Sequence, residues 1–307
     1  MAKILVTGGS GFLGKSVVNE LLKTYPKNEI YIPRSAIFDL TDSNQVDHLY
    51  IHSKPEIVIH LAAVVGGIGA NMENPGKFFH DNMAMGLHLI EKARQYNVKK
   101  FVQIGTVCAY PKICRVPFLE EDIWEGYPEE TNAPYGIAKK ALFVMLEAYQ
   151  KQYGLNSTVL VPCNLYGPYD NFDPKSSHVI PALIRKLIEA KINNSPFIEC
   201  WGSGNATREF LYAPDAAKAI VASIEADTDP SPINLGGGVE ITIRDLVNKI
   251  KDLCEYNGEI RWDSSKPDGQ PRRFLDISKA KRVLGWTPTK DFTQGLRETI
   301  NWYLSTL

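Results

Sequence analysis

The chain has 307 residues, with 34 Lys and Arg against 35 Asp and Glu. That length allows one large α/β domain or two closely joined ones. The near-zero charge gives no electrostatic footprint for nucleic acid or a membrane surface, and no apolar run approaches the roughly 18 residues of a membrane span. The 5 cysteines, Cys108, Cys114, Cys163, Cys200 and Cys254, are widely spaced and odd in number. With no CxxC and no His/Cys cluster, they argue against a disulfide framework and against zinc. Each reads first as a small buried hydrophobe. No signal-like segment opens the sequence, so the expected location is cytoplasmic.

In chain order, the first strand-like run is ILVTG (Ile4–Gly8), short and apolar throughout, as a strand buried on both faces should be. TGGSGFLG (Thr7–Gly14) follows and opens a helix over Phe12–Thr24. Its glycines allow a tight turn and let backbone N–H groups approach a pyrophosphate, which the helix N-terminus also favours. A glycine-rich turn alone is common; the strand–turn–helix context gives this one weight. The second strand, EIYI (Glu29–Ile32), runs into Pro33-Arg34-Ser35. Arg34 stands where NAD readers carry an acid, which favours a 2′-phosphate and hence NADP, with NAD as the alternative. The plain alternative is an exposed surface arginine. Asp39 and Leu40 are placed to contact the adenine.

A helix over Ser43–Ser53, a strand IVIHLA (Ile57–Ala62), a helix over Pro75–Tyr96 and a strand KFVQIG (Lys100–Gly105) come next. A helix over Tyr135–Tyr153 and a strand STVLVP (Ser157–Pro162) continue the alternation. The repeated βα order predicts an α/β fold, a doubly wound parallel Rossmann sheet. At the end of the fourth strand, IGTVCAYPK (Ile104–Lys112) carries Cys108, which alone reads as a packing residue. Tyr135 and Lys139 stand at i and i+4, on one helix face. A nearby ammonium would stabilise the phenolate and suit the tyrosine to proton exchange. Loops at the carboxyl ends of such strands line one crevice, so all three motifs would open onto one site.

Beyond Asn164 the pattern changes to loops rich in Pro and Gly: YGPYDNFDP, WGSGNATREF and KPDGQPRR. Helices recur at His178–Lys191, Pro214–Ala226 and Thr242–Tyr256, the last opening with a capping-box-like Thr242-x-x-Asp245. INLGG (Ile233–Gly237) reads as a further strand. The expected division is a dinucleotide-binding domain over 1–165, with returning segments near 210–236, and a smaller, mainly substrate-binding domain over 166–307.

Five blocks carry a resemblance: VGGIGAN (Val65–Asn71), TVCAYPK, EETNAPYGIAKK, NLYGPYDNFDPKSSHVIPALIRK and WGSGNATREFL. With the glycine turn, they make the chain similar, over nearly its whole length, to the extended short-chain dehydrogenase/reductases acting on nucleotide sugars. Among these it most resembles the GDP-L-fucose synthases, which are GDP-4-keto-6-deoxy-D-mannose 3,5-epimerase/4-reductases. The resemblance implies NADPH-dependent epimerisation and reduction of a GDP-4-keto sugar. It assigns Cys108 and His178 as the epimerising acid/base pair and Tyr135 as the donor to O4. Thr106, where relatives usually have Ser, would hydrogen-bond that oxygen, and Lys139 would bind the nicotinamide ribose. A 4-keto group acidifies the hydrogens at C3 and C5, and inversion needs a base on one face and an acid on the other. A thiol and an imidazole can do this near neutral pH.

The same resemblance lines the cofactor with Gly8, Gly11, Phe12, Leu13 and Gly14 from the turn, and with Arg34, Asp39 and Leu40 after the second strand. Leu61, Ala62, Ala63, Ile104 and Gly105 follow from the next two strand ends. Pro162, Asn164, Leu165 and His178 complete that wall. On the substrate side it places Asn164, Val179, Lys186, Trp201, Arg208, Lys266 and Arg272, with Lys186 standing where relatives often have Arg. It further implies a homodimer built on the Pro75–Tyr96 and Tyr135–Tyr153 helices. A 4,6-dehydratase would need an Asp-Glu pair where Val107-Cys108 stand. A simple 4-epimerase needs no Cys/His pair. A GDP-heptose substrate, 3,5-epimerisation alone, or a non-catalytic NADP-sensing regulator are the alternatives.

Overall fold

The computed structural model describes residues 2–174, 176–266 and 269–307. Lys175 in the PKSSHV stretch, and Pro267 and Asp268 of KPDGQPRR, lie outside the described residues.

Six parallel strands form the main sheet: β1 (Lys3–Thr7), β2 (Glu29–Tyr31), β3 (Ile57–His60), β4 (Lys100–Ile104), β5 (Ser157–Pro162) and, later in the chain, β9 (Ile233–Leu235). Their order is β2-β1-β3-β4-β5-β9. The inner strands are buried along almost their whole length, all five residues in β4 and all six in β5, so they read as continuous apolar runs. The chain leaves β1 toward β2 on one side and returns to β3 on the other. That reversal opens a crevice at the carboxyl ends of β1 and β3.

Helices α1 (Phe12–Thr24), α2 (Ser43–Ser53), α3 (Ile68–Glu73), α4 (Pro75–Gln95) and α5 (Ala133–Tyr153) connect these strands. Asp42 starts α2 by accepting from the backbone of Asn44 and Gln45, and Gly154 in a left-handed conformation ends α5. The helices over 12–24 and 43–53 have the expected limits, and those of α4 and α5 differ by one or two residues.

The second half holds β6 (Asn164–Tyr166), α6 (Val179–Ile192), β7 (Phe197–Trp201), β8 (Thr207–Tyr212), α7 (Ala213–Ala222), β10 (Glu240–Thr242), α8 (Ile243–Cys254), β11 (Glu259–Asp263), α9 (Ser278–Leu284) and α10 (Phe292–Leu304). β8 pairs with β6 and β10, and β7 with β11. Thr242 caps α8 as its spacing predicted, its Oγ1 accepting from Asp245 N at 3.0 Å. WGSGNATREF, expected as a loop, instead ends β7 at Trp201 and enters β8 at Thr207. α7 stops at Ala222 rather than 226, where the buried Ser223 hydroxyl donates to Ile220 O at 2.7 Å.

Two apolar cores result. One sandwiches the main sheet between its helices; the other gathers Tyr166, Ile184, Phe210, Leu246, Leu296 and Ile300 beneath α6, α8 and α10. An extended strap at 270–275 ties the halves together. Pro271 O accepts from Thr207 N at 2.9 Å, and Phe274 O accepts from Phe118 N at 2.8 Å.

Candidate active site

A cavity of about 1180 Å³ opens at the carboxyl ends of β1, β3, β4 and β5 and runs beneath the second core. The turn Gly8–Gly14 forms part of its wall. Gly8 has φ +72°, and a Cβ there would stand 2.7 Å from Ala62 N. A Cβ on Gly14 would stand 2.1 Å from Gly8 O. Gly11 caps α1 with no side-chain partner, so the first N–H groups of that helix are left for a ligand. Gly8, Gly11, Phe12, Leu13 and Gly14 line the cavity together with Leu61, Ala62 and Ala63. A cradle of bare backbone beside a helix N-terminus fits the pyrophosphate of a dinucleotide. Asp39 and Leu40 line its outer end. The Asp39 carboxylate is engaged by its own turn, accepting from Thr41 N at 2.9 Å and Thr41 Oγ1 at 2.7 Å. Arg34 is exposed and does not line the cavity, although its neighbours Pro33 and Ser35 do.

At the end of β4, Ile104, Gly105, Thr106 and Cys108 all face the cavity. Thr106 starts a short 3-10 turn over Val107–Ala109, its hydroxyl accepting from Cys108 N at 3.1 Å. Gly136 brings this turn against the first turn of α5: a Cβ there would meet Cys108 O at 2.2 Å. Any larger residue at 136 would push Cys108 away from Tyr135. Tyr135, Lys139, Pro162, Asn164, Leu165, His178 and Val179 complete the inner wall. His178 stands just before α6, at its N-cap.

The electrostatics differ from the expected picture. Burial, and then nearby Cys108, push the Tyr135 phenol well above its ordinary value, while a hydrogen bond from Thr106 opposes them. Burial alone pulls Lys139 down to about 8. Desolvation therefore governs both groups and favours their neutral forms. The lysine charge is not what sets the phenol. In this environment Tyr135 holds its proton at neutral pH, as an acid must before it donates. The His178 ring opens to the cavity, yet the surrounding walls desolvate its charged form and lower its pKa. Beneath Lys139, buried His60 is held neutral by burial and by the lysine charge, with Nδ1 2.8 Å from Thr7 Oγ1.

On the substrate side, Trp201 and Arg208 line the cavity. Lys266 does not line the cavity; its ammonium lies 5.6 Å from the centroid of the Trp201 ring, which does. Arg208 Nη1 donates to Thr207 O at 2.7 Å and Gln270 O at 2.6 Å. Two further expected residues also fall outside the cavity lining. Lys186 donates to Glu199 O at 2.6 Å and does not line the cavity. Arg272 turns outward and clamps Glu240 with two bonds of 2.7 Å. Its neighbour Arg273 faces inward, with Nη1 3.9 Å from Cys108 Sγ. Gln270, Glu129 and Asn132 also line the cavity and were not singled out in the sequence. Of the other cysteines, only Cys163 lines it, with burial holding its thiol well above the ordinary value. Among the described residues, no group of three or more His, Cys, Asp or Glu converges as metal ligands would. No described helix is long and apolar enough to cross a membrane.

The model of the NAD dependent epimerase/dehydratase family matches residues 4–236. GDP-L-fucose synthase 1 of Arabidopsis thaliana is 39% identical over 303 residues, which is 99% of this chain and 93% of that protein. The structure of a GDP-L-fucose synthetase from Naegleria fowleri bound to NADP superposes with a TM-score of 0.90 at 30% identity, covering 99% of this chain and 94% of that one. A GDP-6-OMe-4-keto-L-xylo-heptose reductase from C. jejuni superposes with a TM-score of 0.93 at 28% identity, covering 100% and 98%.

Proposed function

The chain belongs to the NAD dependent epimerase/dehydratase family, and on that premise we propose that it is an NADPH-dependent 3,5-epimerase and 4-reductase of a GDP-4-keto-6-deoxy-hexose. The product is GDP-L-fucose or a close analogue. The observation that carries this reading is the convergence of Thr106, Cys108, Tyr135, Lys139 and His178 on one cavity with the glycine cradle.

Bound NADPH supplies the hydride that reduces the C4 ketone. The residues do the rest. Cys108 and His178 exchange protons at C3 and C5, one removing and the other returning, with the ketone oxygen taking up the charge that develops between them. Desolvation lowers the His178 pKa and so favours the neutral ring that can accept a proton. Thr106 hydrogen-bonds the ketone oxygen, and Tyr135 gives that oxygen its proton. Lys139 holds the nicotinamide ribose. Arg208 meets the diphosphate and Trp201 covers the nucleotide side.

The comparison with the C. jejuni reductase favours a second reading of the substrate, a GDP-4-keto-heptose handled by the same residues. Product identification by NMR, with a small panel of GDP-4-keto sugars and both reduced cofactors, decides between them. No turnover of any panel member would sink both. The acid/base role of Cys108 has its own check. Cys108→Ser should slow entry of solvent deuterium at C3 and C5 by at least about 100-fold, and unchanged exchange would return the thiol to packing.

The assembly we propose is a cytoplasmic homodimer joined through α4 and α5, whose outer faces carry the exposed side chains Phe79, Leu87 and Val144. Residues 1–165, with returns near 210–236, form the dinucleotide half of this arrangement, and 166–307 mainly the sugar-nucleotide half.

A further inference from the structure

We infer that Gln270 is a positioning residue that locks the strap onto the Cys108 turn and aims Arg273 into the cavity, an inference that rests on the epimerase/reductase reading. Gln270 is 7% exposed, and its polar groups reach two segments distant in sequence and a residue of its own strap. Its Nε2 donates to Lys112 O at 2.8 Å and Pro111 O at 3.4 Å, the carbonyls just beyond the turn that carries Cys108. Its Oε1 accepts from Arg273 Nε at 2.6 Å. Its backbone oxygen accepts from Arg208 Nη1 at 2.6 Å.

The orientation of the amide follows from these partners. Turned over, it would set its oxygen against two carbonyls and its NH2 against a guanidinium. One side chain therefore fixes two distances at once. It sets how far the strap stands from the catalytic turn, and where the Arg273 fork points. With Nε committed to Gln270, the terminal nitrogens of Arg273 are directed to the cavity and to Cys108 Sγ at 3.9 Å. There they can engage an anionic oxygen of the sugar nucleotide beside the thiol. Arg272, one residue earlier, is committed to Glu240 and cannot substitute.

Two variants separate the two distances. Gln270→Leu keeps the bulk and loses every side-chain hydrogen bond. Gln270→Glu keeps an acceptor for Arg273 and loses the donor to Pro111 and Lys112. Calorimetric titration of GDP into NADPH-loaded protein should show affinity about tenfold weaker in Gln270→Leu and near wild type in Gln270→Glu. Added to Arg273→Gln, Gln270→Leu should cause no further loss. Deuterium entry at C3 and C5 of the 4-keto substrate should slow in both Gln270 variants. NADPH affinity should stay within about twofold of wild type, which also reports that the fold is intact.

Unchanged GDP affinity and exchange in Gln270→Leu would overturn the inference. So would losses that add fully to those of Arg273→Gln, or a parallel loss of NADPH and GDP binding in both variants. A wild type that binds no GDP would overturn it as well. A wild type that binds GDP yet turns over no 4-keto sugar would instead sink the functional reading, while the GDP titrations still decide the role of Gln270.

Discussion

Tyr135 and Lys139 sit on one face of α5, and both titrate away from their ordinary values because the cavity wall desolvates them. The phenol therefore keeps its proton at neutral pH, and the proposed donor role gives its removal a specific signature. Tyr135→Phe should lower reduction by about 100-fold or more while NADPH binding, followed by fluorescence titration, is nearly intact; full turnover would refute the donor role. The five residues proposed to carry the chemistry do meet in one cavity; Tyr135 and Lys139 were singled out by their helical spacing, and Thr106, Cys108 and His178 through the matched family blocks. The directions of the strap arginines were not legible. Along an extended strap neighbouring side chains point opposite ways. Nothing in the letters PRR says that Arg272 faces Glu240 and Arg273 the thiol; the distant Glu240 holds the first and Gln270, on the same strap, the second. Lys186 falls elsewhere for the same reason, its ammonium held by Glu199 O, which local sequence does not reveal, while Arg34 stands exposed beside the lining residues Pro33 and Ser35.

At the scale of elements, the glycine turn and α1 were legible down to their limits, because a tight turn needs particular residues at particular places. Gly14→Ala would put a methyl group against the Gly8 carbonyl, with backbone on both sides and little room to yield. It should destabilise by about 1–3 kcal/mol and weaken NADPH by at least about tenfold, as fluorescence titration and urea melts would report; wild-type affinity would remove the turn from the cofactor site. β7 went unrecognised although FIECW alternates exposed and buried residues throughout. α10 was missed although Phe292, Leu296 and Ile300 recur at helical spacing. Their partners, β11 and α8, come from other parts of the chain, and short elements of this kind take their stability from such partners.

β8 shows how those parts are joined. Glu209, 1% exposed, accepts from Gly238 N at 2.8 Å and Leu275 N at 3.1 Å, tying the strand to a turn and to the strap. Burial pushes its carboxyl up to about 7 against the pull of these donors. The folded state thus holds a proton that the unfolded chain releases. Glu209 contributes stability that is present below the ordinary carboxyl range and lost as pH rises through about 7, by up to about 3 kcal/mol. Glu209→Gln, which does not titrate, should flatten the decline between about pH 5 and about pH 8 in urea melts. An unchanged slope would assign that titration to another group.

For the whole molecule, the cavity lies where two cores meet, and Phe210 serves both as core and as cavity wall. The parallel sheet was foreseeable from the βα alternation; the pairing of β5 with β9 was not, because about 70 residues separate Leu160 from Ile233. The proposed dimer is checked by light scattering. The wild type should run at twice the monomer mass, and Leu87→Glu, which puts a charge on the outer face of α4, should run as a monomer. A wild-type monomer would dissolve that assembly. The strap has a consequence for biosynthesis. A ribosome delivers Cys108 and Tyr135 long before Gln270 and Leu275, and the strap's partners, Thr207 and Phe118 among them, have already emerged when it arrives. Until translation passes that point the Cys108 turn lacks the Gln270 hydrogen bonds to Pro111 and Lys112, so the cavity wall is completed only late in synthesis.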